Sequence, residues 1–203
     1  MTNQKATNVH WHDGEISQTD RKKLLEQKGA TLWFTGLPSS GKSTVAVALE
    51  QELFKRGKIS YRLDGDNIRS GINKNLGFSA EDRTENIRRI GEIAKLFVDC
   101  GIISLSSFIS PYREDREHVR KLHDASDMPF IEVYVDCSLD VAEARDPKGL
   151  YRKARAGEIK NFTGIDDPYE PPETPDIHLR TDRMSLEQEV NTLISYLEKN
   201  GII

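Results

Sequence analysis

The chain predicts an α/β fold, a three-layer sandwich with a central parallel sheet flanked by helices. Two observations predict it. Short apolar runs at 30–35, 59–63, 102–109 and 130–136 alternate with helix-periodic segments, the pattern of a parallel sheet wrapped on both faces. The octapeptide Gly36-Leu37-Pro38-Ser39-Ser40-Gly41-Lys42-Ser43 joins the first run to the helix after it. It fits the phosphate-binding loop pattern G-x-x-x-x-G-K-[ST] at every fixed position. In such sheets ligands bind at the carboxyl ends of the strands.

The elements follow in order. Residues 1–16 are polar and aperiodic and are expected to be a flexible arm, leaving 17–203 as a single domain. Residues 17–28 read as a helix, opened by Ser17 with Asp20 three residues on and ended by Gly29. Ala30–Thr35 is apolar and rich in β-branched and aromatic residues, a buried strand. Val45, Ala48, Leu49 and Leu53 mark one face of a helix that stops at Gly57. A strand at Ile59–Leu63 ends in Asp64-Gly65-Asp66-Asn67, and Asn73–Ser79 is a loop. Ile87, Ile90, Ile93, Ala94 and Phe97 share a face of a long helix that Gly101 ends. Ile102–Ile109 is a third strand, 112–124 a charged helix, Phe130–Asp136 an alternating fourth strand and 139–145 a short helix. Residues 145–160 then carry six basic and two acidic residues. Four of the eight prolines fall in 166–176, which reads as extended. Ile177–Leu179 is a fifth strand, and Leu186, Val190, Leu193, Ile194 and Leu197 form a closing amphipathic helix.

Composition narrows the functional classes. A net charge of −4 over 203 residues argues against general nucleic-acid binding. No apolar run has membrane-spanning length, and residues 1–12 show neither a secretory nor a transit pattern, so a cytoplasmic location is expected. Cys100 and Cys137 make no metal-ligand spacing and are expected to be reduced and buried. His10, His12, His118, His123 and His178 form no ligand pattern and are read as surface residues.

The chemistry concentrates on one rim. With its flanking strand and helix, the glycine loop implies a fold of the P-loop NTPase type. Its backbone N–H groups and the helix N-terminus attract phosphate. Lys42 reaches the β- and γ-phosphates, and the Ser43 hydroxyl suits magnesium. Asp64 and Asp66 end the second strand, where a carboxylate takes a hydroxyl proton or helps hold magnesium; a solvated turn with a helix cap is the alternative. Arg83 and Asn86 share a helix face fit to grip a phosphate or sulfate, whereas Arg88 and Arg89 read as solvated charge. Phe78 could stack on a base or anchor its loop. Ile109 and Ser110 end the third strand, where Ser110 could also cap the helix that Pro111 starts. The basic segment at about 145–165 fits a lid that closes over anionic phosphates.

These motifs in this order resemble the adenylyl-sulfate kinase family: Gly36–Ser43, DGDNIR at 64–69, NLGF at 75–78, ENIRRI at 85–90, FISPYR at 108–113, RDPKGLY at 145–151 and FTGIDDPYEPP at 162–172. The resemblance runs from about Trp11 to the C-terminus. It implies transfer of the ATP γ-phosphoryl group to the ribose 3′-hydroxyl of adenosine 5′-phosphosulfate (APS), with Mg2+ and a homodimer. By resemblance the catalytic set is Lys42, Asp66, Asp64 and Ser110, with Ser110 positioning substrate. ATP would lie on Gly36, Leu37, Pro38, Ser39, Ser40, Gly41, Lys42, Ser43, Thr44 and Arg145. APS would lie on Asp66, Asn67, Ile68, Arg69, Arg83, Asn86, Ile109, Ser110, Lys148 and Thr163, its adenine clamped by Phe78 and Phe162. Ser43 and Asp66 would hold the metal. Pro38-Ser39-Ser40 departs from the small residues usual in the family loop. A P-loop kinase for a sugar acid is the second enzyme reading, disfavoured because a sugar needs no aromatic platform. A non-catalytic nucleotide-binding regulator is the third, disfavoured because Lys42, Asp66 and Arg83 are all present.

Overall fold

The computed structural model describes residues 8–10, 12 and 14–203. The expected arm at 1–16 therefore lies largely outside the described residues. Five parallel strands, β1 (Ala30–Thr35), β2 (Ser60–Asp64), β3 (Ile103–Ser107), β4 (Phe130–Asp136) and β5 (Ile177–Arg180), form one sheet in the order β2-β3-β1-β4-β5. The fully buried β1 sits at its centre.

Strand alternation sorts side chains onto two faces. Ala30, Leu32 and Phe34 join Ile103, Leu105, Val133 and Leu179 in one cluster, which α2 (Lys42–Lys55) and α8 (Leu186–Lys199) cover with Val45, Leu49, Leu193 and Leu197. Trp33 turns the other way. It stacks on Phe108 at 5.7 Å between ring centroids, under Ile87, Ile90 and Ala94 of α4 (Ala80–Asp99) and Val119 of α5 (Arg113–Asp124). A third cluster joins Ala142 of α6 (Leu139–Arg145) and Tyr151 and Ala154 of α7 (Leu150–Arg155) to Cys137 and Phe162. The basic segment is thus docked on the sheet's rim by its own small core.

Several elements differ from expectation. The first helix, α1 (Gln18–Leu25), has the Ser17–Asp20 capping box but ends on Glu26 in the left-handed region rather than at Gly29. Buried Gln27 then bonds the carbonyls of Ile59 and Gly101, which pulls the chain out of the helix. Gly65–Ser70 is a short helix, α3, capped by Asp64. Cys100 is exposed at the end of α4, and only Cys137 is buried. His123 is fully buried: its ring nitrogens lie 2.9 Å from Thr31 Oγ1 and 2.9 Å from the Val119 carbonyl. Tyr112, not Ser110, occupies the N-cap position of α5.

Candidate active site

The glycine loop leaves β1 and enters α2 beneath the end of β4. Gly36 has φ +155°, and a Cβ there would meet the Val135 carbonyl oxygen at 2.2 Å. Only glycine passes that point. Gly41 enters α2 at φ +105°. Lys42 folds back over the loop, its Nζ donating to the Gly36 carbonyl at 3.0 Å and the Leu37 carbonyl at 2.7 Å. Burial pushes the Lys42 amine down to about 7, because desolvation disfavours the charged form. Ser43 and Thr44 stand exposed on the first turn.

The loop is braced from three sides. Arg145 donates to the Ser40 carbonyl at 3.3 Å and to Thr181 Oγ1 at 2.9 Å. Thr181 Oγ1 donates to the same Ser40 carbonyl at 2.8 Å. The buried Tyr151 hydroxyl donates to the Pro38 carbonyl at 3.0 Å. Arg145, expected to bind ATP, lies against the loop with its guanidinium donating to Ser40 and Thr181. Thr181 and Tyr151 escaped the reading of the loop, since a threonine past a short strand and an aromatic in a basic run carry no local mark of it.

Across the rim, Asp64 receives two donors. The Ser43 hydroxyl reaches Oδ2 at 3.0 Å and the Asp66 N–H reaches Oδ1 at 3.1 Å. Asp66 is exposed and paired with Lys148, so a cation of the basic segment reaches the carboxylate expected to act as base. The structure therefore joins Ser43 to Asp64 and Asp66 to Lys148, and makes no Ser43–Asp66 bond.

The residues expected on the acceptor side form a second group. Arg69 donates to the Gly77 carbonyl at 2.7 Å and lies 4.6 Å over the exposed Phe78 ring. Arg83 donates to the Phe78 carbonyl at 3.0 Å, to Thr163 Oγ1 at 2.6 Å and to the Asn161 carbonyl, and pairs with Asp167 at 3.3 Å. One guanidinium thus ties the Phe78 loop to the segment bearing Phe162 and Thr163. Phe162 is buried edge-on to Tyr151 at 4.9 Å. Asn86 is buried and accepts from Asn73 Nδ2 at 3.0 Å. Asn67 is exposed, and Ile68 packs under α4. Arg88 and Arg89 both engage Glu85, and Arg89 also donates to Asn75 at 2.9 Å in the loop that carries Asn73.

The Ile109–Ser110 turn lies between the two groups. Thr35 Oγ1 donates to the Ile109 carbonyl at 2.7 Å. Ser110 has φ +40° and is buried, its hydroxyl accepting from Trp33 Nε1 at 3.1 Å. Buried Arg116 donates to the Ser110 carbonyl at 2.7 Å and, through Nε, to Glu132 at 2.7 Å. The Ser110 side chain is therefore turned into the body of the protein rather than held on the rim.

A glycine loop with its lysine, a carboxylate at the end of β2 with a second in α3 just after it, and a basic segment that reaches the second define a P-loop phosphotransferase, a small-molecule kinase. The model of the adenylylsulphate kinase family matches residues 28–180. The adenylyl-sulfate kinase of Clostridium acetobutylicum is 56% identical over 203 residues, the full length of both chains. That of Saccharomyces cerevisiae is 56% identical over 198 residues, 98% of each. Among solved structures, the Mycobacterium tuberculosis APS kinase in complex with AMPPNP and APS superposes with a TM-score of 0.82 at 50% identity, over 85% of this chain and 99% of that one. A hexameric APS kinase from Thiobacillus denitrificans gives 0.67 at 32% identity, over 92% of this chain and 31% of that one. The chain belongs to the adenylyl-sulfate kinase family.

Proposed function

We propose that the chain transfers the γ-phosphoryl group of ATP to the ribose 3′-hydroxyl of adenosine 5′-phosphosulfate, giving 3′-phosphoadenylyl sulfate and ADP, a step of sulfate assimilation. The observation that carries this reading is the Arg83 bridge: it draws the Phe78 loop and the Phe162–Thr163 segment together beside the rim that holds Lys42, Asp64 and Asp66. An aromatic and a half-buried arginine side by side suit an adenine nucleotide with an anionic tail.

In this reading Gly36–Thr44 and Arg145 hold ATP, and Lys42 leaves the loop carbonyls for the β- and γ-phosphates. Asp66 takes the 3′-hydroxyl proton as the oxygen–phosphorus bond forms and the bond to ADP breaks. Lys148 holds that carboxylate in place. Asn67, Ile68, Arg69, Asn86, Ile109 and Thr163 shape the acceptor pocket. Ser110 acts by fixing the backbone of its turn.

The residues fit magnesium. A hydroxyl and a carboxylate oxygen stand together at the phosphate loop, hard donors of the kind Mg2+ takes beside phosphate oxygens. Among the described residues no group of three or more His, Cys, Asp or Glu gathers into a metal site. Ser43 and Asp64 would hold the ion, with Asp66 in its outer surroundings. When bound it neutralises charge on the transferring phosphoryl group. A single domain at 17–203, a lid at about 145–165 that closes on substrate, a homodimer and a cytoplasmic setting complete the proposal. Among the described residues no helix is long and apolar enough to cross a membrane.

The test is ADP release from magnesium-ATP with and without APS, beside sugar acids and nucleoside monophosphates. Release that needs APS supports the reading. Release with a sugar acid instead overturns the acceptor roles of Phe78, Arg83 and Phe162.

A further inference from the structure

Ser107 is the last residue of β3 and is 3% exposed, yet its hydroxyl has no hydrogen-bond partner among the described residues. A buried hydroxyl without a partner is destabilising, so its presence asks for a cause.

Its direction follows from the sheet. Ile103 and Leu105 belong to the cluster under α2, and successive strand residues alternate, so Ser107 points to the same side. Ser104 and Ser106, the even set, bond one another at 3.1 Å on the other face. The neighbouring strands agree. In register, Ser107 stands between Asp64 of β2 and Phe34 of β1. Phe34 lies in the cluster under α2, and Arg62, two residues before Asp64, pairs with Glu50 of α2. Asp64, Ser107 and Phe34 therefore form one row across the carboxyl end of the sheet, facing the helix whose first turn carries Ser43. The Ser43–Asp64 bond of 3.0 Å closes over the end of that row.

We propose that Ser107 is a positioning residue of the magnesium–phosphate pocket, its hydroxyl reserved for the hydration shell of the cation held by Ser43 and Asp64. This rests on the reading of the Ser43–Asp64 pair as the magnesium site. The hydroxyl does not touch the acceptor and takes no proton in the reaction. It fixes where the hydrated ion sits between the nucleotide loop and β2. Its unpartnered state in the free protein leaves both its proton and its lone pairs open to the ion's water.

The role predicts an unusual pair of effects. Removing an unpartnered buried hydroxyl relieves a desolvation penalty, while removing one that bonds a charged assembly weakens binding. The experiment is calorimetric titration of the intact chain with AMPPNP, in excess magnesium and in excess EDTA, with thermal unfolding of the nucleotide-free protein alongside. Wild type should bind AMPPNP more tightly with magnesium than with EDTA. Ser107→Ala should lose about tenfold of that magnesium-dependent gain, keep its affinity in EDTA, and unfold at the same temperature as wild type or higher. Ser107→Ala with the full magnesium gain overturns the role of Ser107 while leaving the magnesium site standing. A lower unfolding temperature with equal losses in both media marks Ser107 as structural and also overturns it. If wild type itself shows no magnesium gain, the reading of Ser43 and Asp64 fails, and this proposal with it.

Discussion

At the scale of the residue, Lys42 carries the largest consequence. Its amine is held near 7 by burial, so the nucleotide-free protein carries it largely neutral above that pH. A bound phosphate favours the charged form, so AMPPNP binding between pH 7 and about 10 should take up a proton. Calorimetry in buffers of different ionisation enthalpy reads that uptake, and Lys42→Ala should abolish it along with most turnover while the fold persists. Near-normal turnover in that variant would end the phosphate-loop assignment. Asp66→Asn should lower turnover on the order of 10²-fold with a smaller change in affinity. A change in affinity alone would make Asp66 a binding residue. His123 gives a prediction of opposite use. Burial lowers its pKa below the ordinary 6.5, so the unfolded chain protonates first as pH falls. The unfolded state then binds more protons, and stability drops below pH 6.5 until the native ring also titrates. Urea midpoints at pH 7 and pH 5 should show the drop, and His123→Gln should shrink it.

At the scale of the element, α7 is joined to the glycine loop by one side chain. Tyr151 donates to the Pro38 carbonyl and meets Phe162 edge-on, so one side chain touches both the glycine loop and the segment bearing Phe162 and Thr163. Tyr151→Phe keeps the ring and removes the bond. It should cost about 1 kcal/mol of stability and raise the KM for ATP several-fold with kcat little changed. Unaltered steady-state constants would reduce Tyr151 to packing. The helices show how local signals reach only so far. Ser17 and Asp20 mark the start of α1 correctly, because a capping box is made within four residues. Its end was not legible, since Gln27 leaves the helix for carbonyls 32 and 74 residues away. Likewise His123 lies one turn after Val119 on a mostly charged helix, and its burial against Thr31 of β1 and Phe130 of β4 is set by the packing of α5 on the sheet.

At the scale of the whole molecule, the sheet order β2-β3-β1-β4-β5 brings the ends of β1, β2 and β3 to one rim, which is where the sequence placed the chemistry. The proposed homodimer is checked by sedimentation of the intact chain, which should report a species of two chains; a single-chain species at assay concentration would remove it.

The fold class, the five strands, the nucleotide loop and the rim carboxylates were legible because each rests on short-range chemistry. Period-two and helical patterning, glycine spacing and residues at strand ends are all read within a dozen positions. What only the tertiary structure decided was which groups meet. Arg83 meets Thr163 across 80 residues, Tyr151 meets Pro38 across 113, and Thr181 meets Ser40 across 141. The same packing turned Ser110 under Trp33, exposed Cys100 and buried His123. Patterning determines the face a residue belongs to, but the partner on that face is set by how the layers close, and a side chain's hydrogen bonds follow from that closure.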